Sequence, residues 1–252
     1  MLHRRHLPPP ARIPLHTLLF AGLLYCSLAR ISAADELTIV SFGDSTTAPR
    51  GKLTVYSDRL ARELPSPTRK VHVVNAGIGG NNTDMARRRF EKDVLAHQPD
   101  VVIIQFGIND AAVDVWKTPP ATQPRVSVDR YRENLLHFIT TLKKQNARVI
   151  LMTPNPLLWT PSLKQRYGRP PYDPDSDAGF NLLLRDYAAA VREIAKQQDV
   201  PLVDIDRAFH DYDRQPGQTL SDLLSDGMHP NEQGQGLVAD LLIRELQKAS
   251  DD

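Results

Sequence analysis

Short uninterrupted apolar runs alternate along this chain with longer segments whose apolar residues recur every three or four positions. The runs Leu37–Phe42, Val71–Val74, Val101–Phe106, Val149–Met152 and Leu202–Asp204 predict five β-strands. The third is apolar almost throughout, the pattern of a central parallel strand covered on both faces. Between the runs, Thr54–Leu64 predicts a helix stopped by Pro65 and Pro67. A polar helix is expected over about Thr83–Leu95. Val128–Gln145 gathers Leu135, Phe138, Ile139 and Leu142 on one helical face, and Phe180–Gln198 does so with Leu183, Leu184, Tyr187, Val191 and Ile194. Leu237–Leu246 closes the chain as a helix. Strands alternating with helices imply parallel βαβ units with right-handed crossovers, hence one three-layer α/β/α domain. No internal repeat or low-complexity linker interrupts it. Two connections break the rhythm: Ala111–Pro124 with Trp116, and Pro154–Asp177 with Trp159, Tyr167 and Tyr172. Loops of this length are uncommon in a compact domain and are often functional.

The first 34 residues differ from the rest. His3, Arg4, Arg5 and Arg12 make a basic start, Leu15–Ala29 is almost wholly apolar, and Ser32-Ala33-Ala34 offers small residues for a cut after Ala34. This predicts a secretory signal peptide over residues 1–34, a mature domain over 35–252, and a secreted or periplasmic location. The apolar run is shorter than the roughly 20 residues that a membrane span needs, so no stable membrane insertion is expected after cleavage. A lipid anchor at Cys26 is disfavoured by the bulky Tyr25 before it. Cleavage removes four Lys/Arg and no Asp/Glu, leaving 27 basic against 30 acidic residues. Such a balance carries no electrostatic footprint for nucleic acid. It also removes Cys26, the only cysteine, and with it disulfide, thiolate and cysteine–zinc chemistry.

Candidate chemistry clusters just after the first three strands and near the C-terminus. Ser45, in Ser41-Phe42-Gly43-Asp44-Ser45, is placed to project at the end of a strand near a helix N-terminus, although a lone Gly-Asp-Ser is also what a helix cap looks like. The spacing Gly43-Asp44-Ser45-Thr46-Thr47 lacks the G-x-S-x-G elbow of α/β-hydrolases. Asn75–Asn82 carries glycines at 77, 79 and 80 but fails the dinucleotide fingerprint at Asn82, so no cofactor is expected. What these glycines allow is close backbone approach to a ligand. Asn109 adds a side-chain amide donor, or simply forms a turn. Asp226 and His229 stand three apart, so the carboxylate can orient the imidazole; a surface pair ahead of a helix has the same spacing. Histidines 72, 97, 137, 210 and 229 form no metal-binding motif, and the Asp173–Asp177 run lacks the glycine and the glutamate of a calcium loop. No metal is expected.

Taken together and in order, these blocks resemble the four signature blocks of the SGNH hydrolases, or GDSL-type esterases and lipases, from about Thr38 to the C-terminus. The first block reads Gly-Asp-Ser-Thr rather than Gly-Asp-Ser-Leu, which resembles the carbohydrate acetylesterase branch. The resemblance implies a flavodoxin-like fold, a five-stranded parallel sheet of order 2-1-3-4-5. It also implies Ser45 as nucleophile, Gly80 and Asn109 as oxyanion-hole donors with the Ser45 N–H, Asp226 as orienter and His229 as general base. The expected activity is a serine esterase removing short acyl groups, above all acetyl, from carbohydrate. Its substrate is then a small-molecule or polysaccharide ester, with Trp116, Trp159, Tyr167 and Tyr172 available to meet sugar faces. The competing expectations are a lysophospholipase or thioesterase, and a catalytically inactive glycan-binding module.

Overall fold

The computed structural model describes residues 35–66 and 68–248, so the predicted signal segment lies outside the described residues. In chain order the elements are β1 (Asp35–Gly43), α1 (Tyr56–Glu63), β2 (Arg69–Gly77), α2 (Thr83–Asp93), β3 (Val101–Gln105), α3 (Ile108–Ala111), α4 (Val128–Lys144) and β4 (Arg148–Met152). They continue with α5 (Pro161–Tyr167), α6 (Leu184–Gln197), β5 (Leu202–Val203), α7 (Ile205–Asp213) and α8 (Glu232–Lys248). The five strands form one sheet, all pairs parallel, in the order β2-β1-β3-β4-β5.

Alternation within the strands divides the core between the two faces of the sheet. Val40, Phe42, Val102, Ile104 and Leu151 face one layer, where α2, α4 and α6 contribute Phe90, Leu135, Phe138 and Val191. Ile39, Val101, Ile103, Ile150 and Met152 face the other, against Leu60 of α1, Phe209 of α7 and Leu242 of α8. Full burial of one such side chain contributes about 1.5–3 kcal/mol. Phe42 is the hub of its layer: its ring lies edge-on to Phe106 and Phe138, at 5.1 and 5.4 Å between centroids. Phe42→Ala would cost about 3–5 kcal/mol, and it sits one residue before the strand's end.

Several helices begin where a side chain can accept a free N–H. Asn82 takes that of Met85 in α2, Ser127 that of Arg130 in α4, and Asp204 that of Arg207 in α7. Helix α7 was not expected from the sequence, and α5 lies inside a segment read as an open connection. Its signal is short: Thr160 caps it and Pro161 opens it. Helix α8 starts earlier than its apolar pattern suggests, because the Asn231 carboxamide accepts from Gln233 and Gly234.

Register brings the strand ends level. Gly43 of β1 pairs with Gly77 of β2 on one side and with Gln105 of β3 on the other. Ser45, the Gly77–Gly80 turn and Asn109 therefore leave the sheet side by side at its carboxyl edge, where open α/β sheets place ligands. Arg89 of α2 secures that edge. Its guanidinium donates to the carbonyls of Gly43 (2.9 Å) and Ala76 (2.7 Å) and covers the Phe42 ring at 4.7 Å.

Candidate active site

Ser45 lies in a tight turn rather than at a helix N-terminus. The N–H groups of Thr47 and Ala48 donate to the Asp44 carbonyl, and α1 begins only at Tyr56. The side chain of Asp44 points inward and is buried; its Oδ1 accepts the N–H and hydroxyl of Thr46, each at 2.9 Å. Burial raises the Asp44 carboxyl above its ordinary value, against the donors from Thr46, the His229 charge and the Asn109 amide.

His229 reaches Ser45 from 184 positions further along the chain. Its Nε2 stands 2.9 Å from Ser45 Oγ, and its Nδ1 lies 2.8 and 3.0 Å from the two oxygens of Asp226. The turn that permits this depends on Gly227, at φ +83°, where a Cβ would also come within 2.5 Å of the Leu158 carbonyl. Three further bonds hold the turn. Leu158 N–H donates to the Gly227 carbonyl, Asn155 Nδ2 to the Met228 carbonyl and Ser225 N–H to the His229 carbonyl. The Asp226 side chain is about half exposed, and its partial loss of solvent raises its carboxyl. The His229 N–H and imidazole and the Met228 N–H outweigh that and bring it down to about 2. Arg50, 3.2 Å away, adds a cation on the outer side.

On the other flank of Ser45, the glycine turn exposes backbone. Gly80 takes φ +76°, and the N–H groups of Ser45, Gly79 and Gly80 meet no acceptor among the described residues. A Cβ at Gly79 would sit 3.9 Å from Ser45 Cβ, so the turn lies directly beside the hydroxyl. Asn81 is buried and accepts from Arg89 Nε at 2.8 Å. Asn109 directs Nδ2 toward Asp44 Oδ2 (3.4 Å) while its Oδ1 accepts from Arg125 (3.0 Å). The neighbouring Asp110 is fully buried. It holds the start of α2 by accepting the N–H and hydroxyl of Thr83, at 2.9 and 2.5 Å, and burial pushes its carboxyl up to about 7.

Chemically, a hydroxyl bonded to an imidazole that is bonded to a carboxylate can lose its proton as it attacks a carbonyl. Free N–H groups on the far side can receive the oxyanion that results. The four aromatic candidates separate. Tyr167 and Tyr172 are buried and, with Ile108, Leu157, Phe180 and Met228, line an apolar pocket that opens beside Asn109 and Arg125. Trp159 stacks on Phe180 (4.2 Å, 11°) and gives its N–H to the carbonyls of Asp173 and Ser176, within its own loop. Trp116 is 41% exposed, with the Arg166 guanidinium 4.3 Å over its ring. The sequence reading had missed Arg50 and Arg125. Both sit in loops and meet the site only through tertiary contacts, so no motif or periodicity marks them. Among the described residues no group of three or more His, Cys, Asp or Glu side chains is placed to hold a metal ion.

Residues 41–237 match the GDSL-like Lipase/Acylhydrolase family. An acetylxylan esterase from Geobacillus stearothermophilus is 30% identical over 185 residues, covering 71% of this chain and 74% of that protein. The thioesterase 1/protease 1/lysophospholipase L1 of Escherichia coli K12 is 28% identical over 218 residues, 86% of each chain. The crystal structure of Axe2, an acetylxylan esterase from Geobacillus stearothermophilus, superposes with a TM-score of 0.67 at 25% identity, covering 85% of this chain and 96% of the other.

Proposed function

The chain belongs to the GDSL-like lipase/acylhydrolase family and is a carboxylic ester hydrolase, and from that premise we propose an exported serine esterase that releases short acyl groups, chiefly acetyl, from carbohydrate. The observation that carries the mechanism is the unbroken chain from Ser45 Oγ through His229 to Asp226. Ser45 Oγ attacks the ester carbonyl while His229 Nε2 takes its proton, and Asp226 holds the imidazolium at Nδ1. The tetrahedral oxyanion is received by the N–H groups of Ser45 and Gly80 and by Asn109. His229 returns the proton to the departing alcohol, leaving acyl-Ser45. Water, deprotonated by His229, attacks the acyl-enzyme in the same way; carboxylate leaves and the Ser45 hydroxyl is restored.

Carbohydrate as the alcohol is supported by the Gly43-Asp44-Ser45-Thr46 block, by the similarity to an acetylxylan esterase and by Trp116, which stays partly exposed beside the Arg166 guanidinium. A second reading, a thioesterase or lysophospholipase, is favoured by the pocket beside Asn109, whose walls are mostly apolar. The similarity to the Escherichia coli thioesterase points the same way. A p-nitrophenyl ester series decides between them. The acetate turning over with the highest kcat/KM supports the first reading; a steady rise toward long chains overturns it. Release of acetate from acetylated xylan, pectin or sialate then assigns the sugar. Export is tested on the secreted protein, whose N-terminus is expected at or near Asp35. A mature chain retaining Cys26 contradicts it.

A further inference from the structure

We propose that Arg125 is a positioning residue for the oxyanion hole: with Asp44 it clamps the Asn109 amide in the one orientation that presents an N–H to the ester oxygen. The inference rests on Asn109 being an oxyanion donor, but names a residue outside the signature blocks. Asn109 is held at both ends by groups of opposite character. Its carbonyl oxygen accepts from Arg125 Nη1 at 3.0 Å, and its Nδ2 faces the Asp44 carboxylate at 3.4 Å. A primary amide has two N–H bonds, so one is engaged by Asp44 and the other remains for the reacting carbonyl. Rotating the amide by half a turn would set its oxygen against a buried carboxylate and its NH₂ against a guanidinium. Both contacts would then be repulsive.

Arg125 itself has little freedom. Its Nε and Nη2 donate to Asp114 Oδ1 at 3.1 and 2.6 Å, and Lys117 holds the other oxygen of that buried carboxylate at 2.7 Å. Backbone bonds from Arg125 to the Ala112 carbonyl and from Val126 to the Asp110 carbonyl tie its loop back to the segment carrying Asn109. The fork thus spans Asp114 and Asn109, one face for each, which suits a planar guanidinium and not an ammonium. This gives the Ala111–Pro124 connection a catalytic consequence: it delivers the far end of the clamp. A charged donor on the amide oxygen also draws electron density from the nitrogen, strengthening the N–H as a donor.

The test is a double-mutant cycle on p-nitrophenyl acetate hydrolysis, read as kcat and KM well below each variant's melting temperature. Arg125→Lys keeps a cation against Asp114, and with it the loop, but cannot bridge to Asn109. It is expected to lower kcat about tenfold, the order of one charged hydrogen bond, at nearly constant KM. Arg125→Met should do the same with a larger loss of stability. In the Asn109→Ala background either substitution should change kcat less than about twofold, because the group through which Arg125 acts has gone. An additive tenfold loss in that background overturns the clamp, as does wild-type kcat in Arg125→Lys, which would leave Arg125 only a tether for its loop. A rise in KM at constant kcat overturns it too, making Arg125 a substrate contact. If Asn109→Ala alone keeps full kcat, the oxyanion assignment falls instead.

Discussion

Burial of Asp110, beside Asn109, should make the protein's stability depend on pH in a way one substitution isolates. The Asp110 carboxyl is raised from 3.8 to about 7, chiefly by burial and against the two donors of Thr83. Its folded value lies above its unfolded one, so folding favours the protonated form. Whatever stability this gives is fully present below about pH 4 and is lost as pH rises through about 7. At about 1.4 kcal/mol per pH unit, the whole gap is worth about 4 kcal/mol, and more than half of it develops between about pH 5 and about pH 8. Asp110→Asn removes the titration while keeping an oxygen for Thr83. Its Nδ2 takes the place of Oδ2, which has no partner among the described residues. That buried donor costs about 1–3 kcal/mol, but equally at every pH. Urea denaturation of both proteins at about pH 5, 6.5 and 8 therefore compares slopes, not absolute stabilities. Wild type should lose about 2–3 kcal/mol relative to the variant across that range. Parallel stability curves would refute the reasoning, because Asp110 would then ionise as easily in the fold as outside it.

Asn109→Ala should lower kcat by about 10²–10³-fold with little change in KM, since its bond to the oxyanion forms mainly in the transition state. Asn109→Asp, which sets a carboxylate against that charge, should be at least as damaging; near wild-type kcat in the aspartate variant would exclude the oxyanion role. Asp226→Asn should lower kcat by about 10⁴, the cost of misorienting a catalytic imidazole. Because the Asp226 carboxyl is held at about 2, its stabilising effect is present above 3.8 and fades as pH falls toward about 2. The stability gap between wild type and Asp226→Asn should accordingly narrow below about pH 4 in thermal melts, and a gap constant with pH would argue against that pairing.

What the sequence made legible follows from where burial acts. Strands β3 and β4 are buried from end to end, or nearly so, and their apolar runs gave their positions to within a residue. Strand β2 is an edge strand with alternating exposure at Arg69–Val73, so Lys70 and His72 hid its first residues and only Val71–Val74 stood out. Helix α7 was missed because only Ile205 and Phe209 are buried among its charged residues, too few to set a period. The candidate site was readable wherever its chemistry is local: Ser45, the 77–80 glycines, Asn109, and Asp226 with His229. The rest of the site is non-local. Arg50 reaches Asp226 across 176 positions, and Arg125 reaches Asn109 from a loop whose sequence only announces a turn. Tyr167 and Tyr172 read as exposed loop aromatics, yet both close on Phe180 as part of the core layer that holds Phe42 and Phe138, and Tyr172 accepts the Val113 N–H at 2.8 Å.

Ser45 is the group expected to become acylated. Treating the protein with an aryl sulfonyl fluoride or a phosphonate ester and mapping the adduct by peptide mass spectrometry tests this directly. The expected result is one stoichiometric adduct on Ser45, loss of p-nitrophenyl acetate hydrolysis in step with labelling, and neither labelling nor turnover in a folded Ser45→Ala variant. An adduct on another serine, or hydrolysis by Ser45→Ala near the wild-type rate, would contradict it.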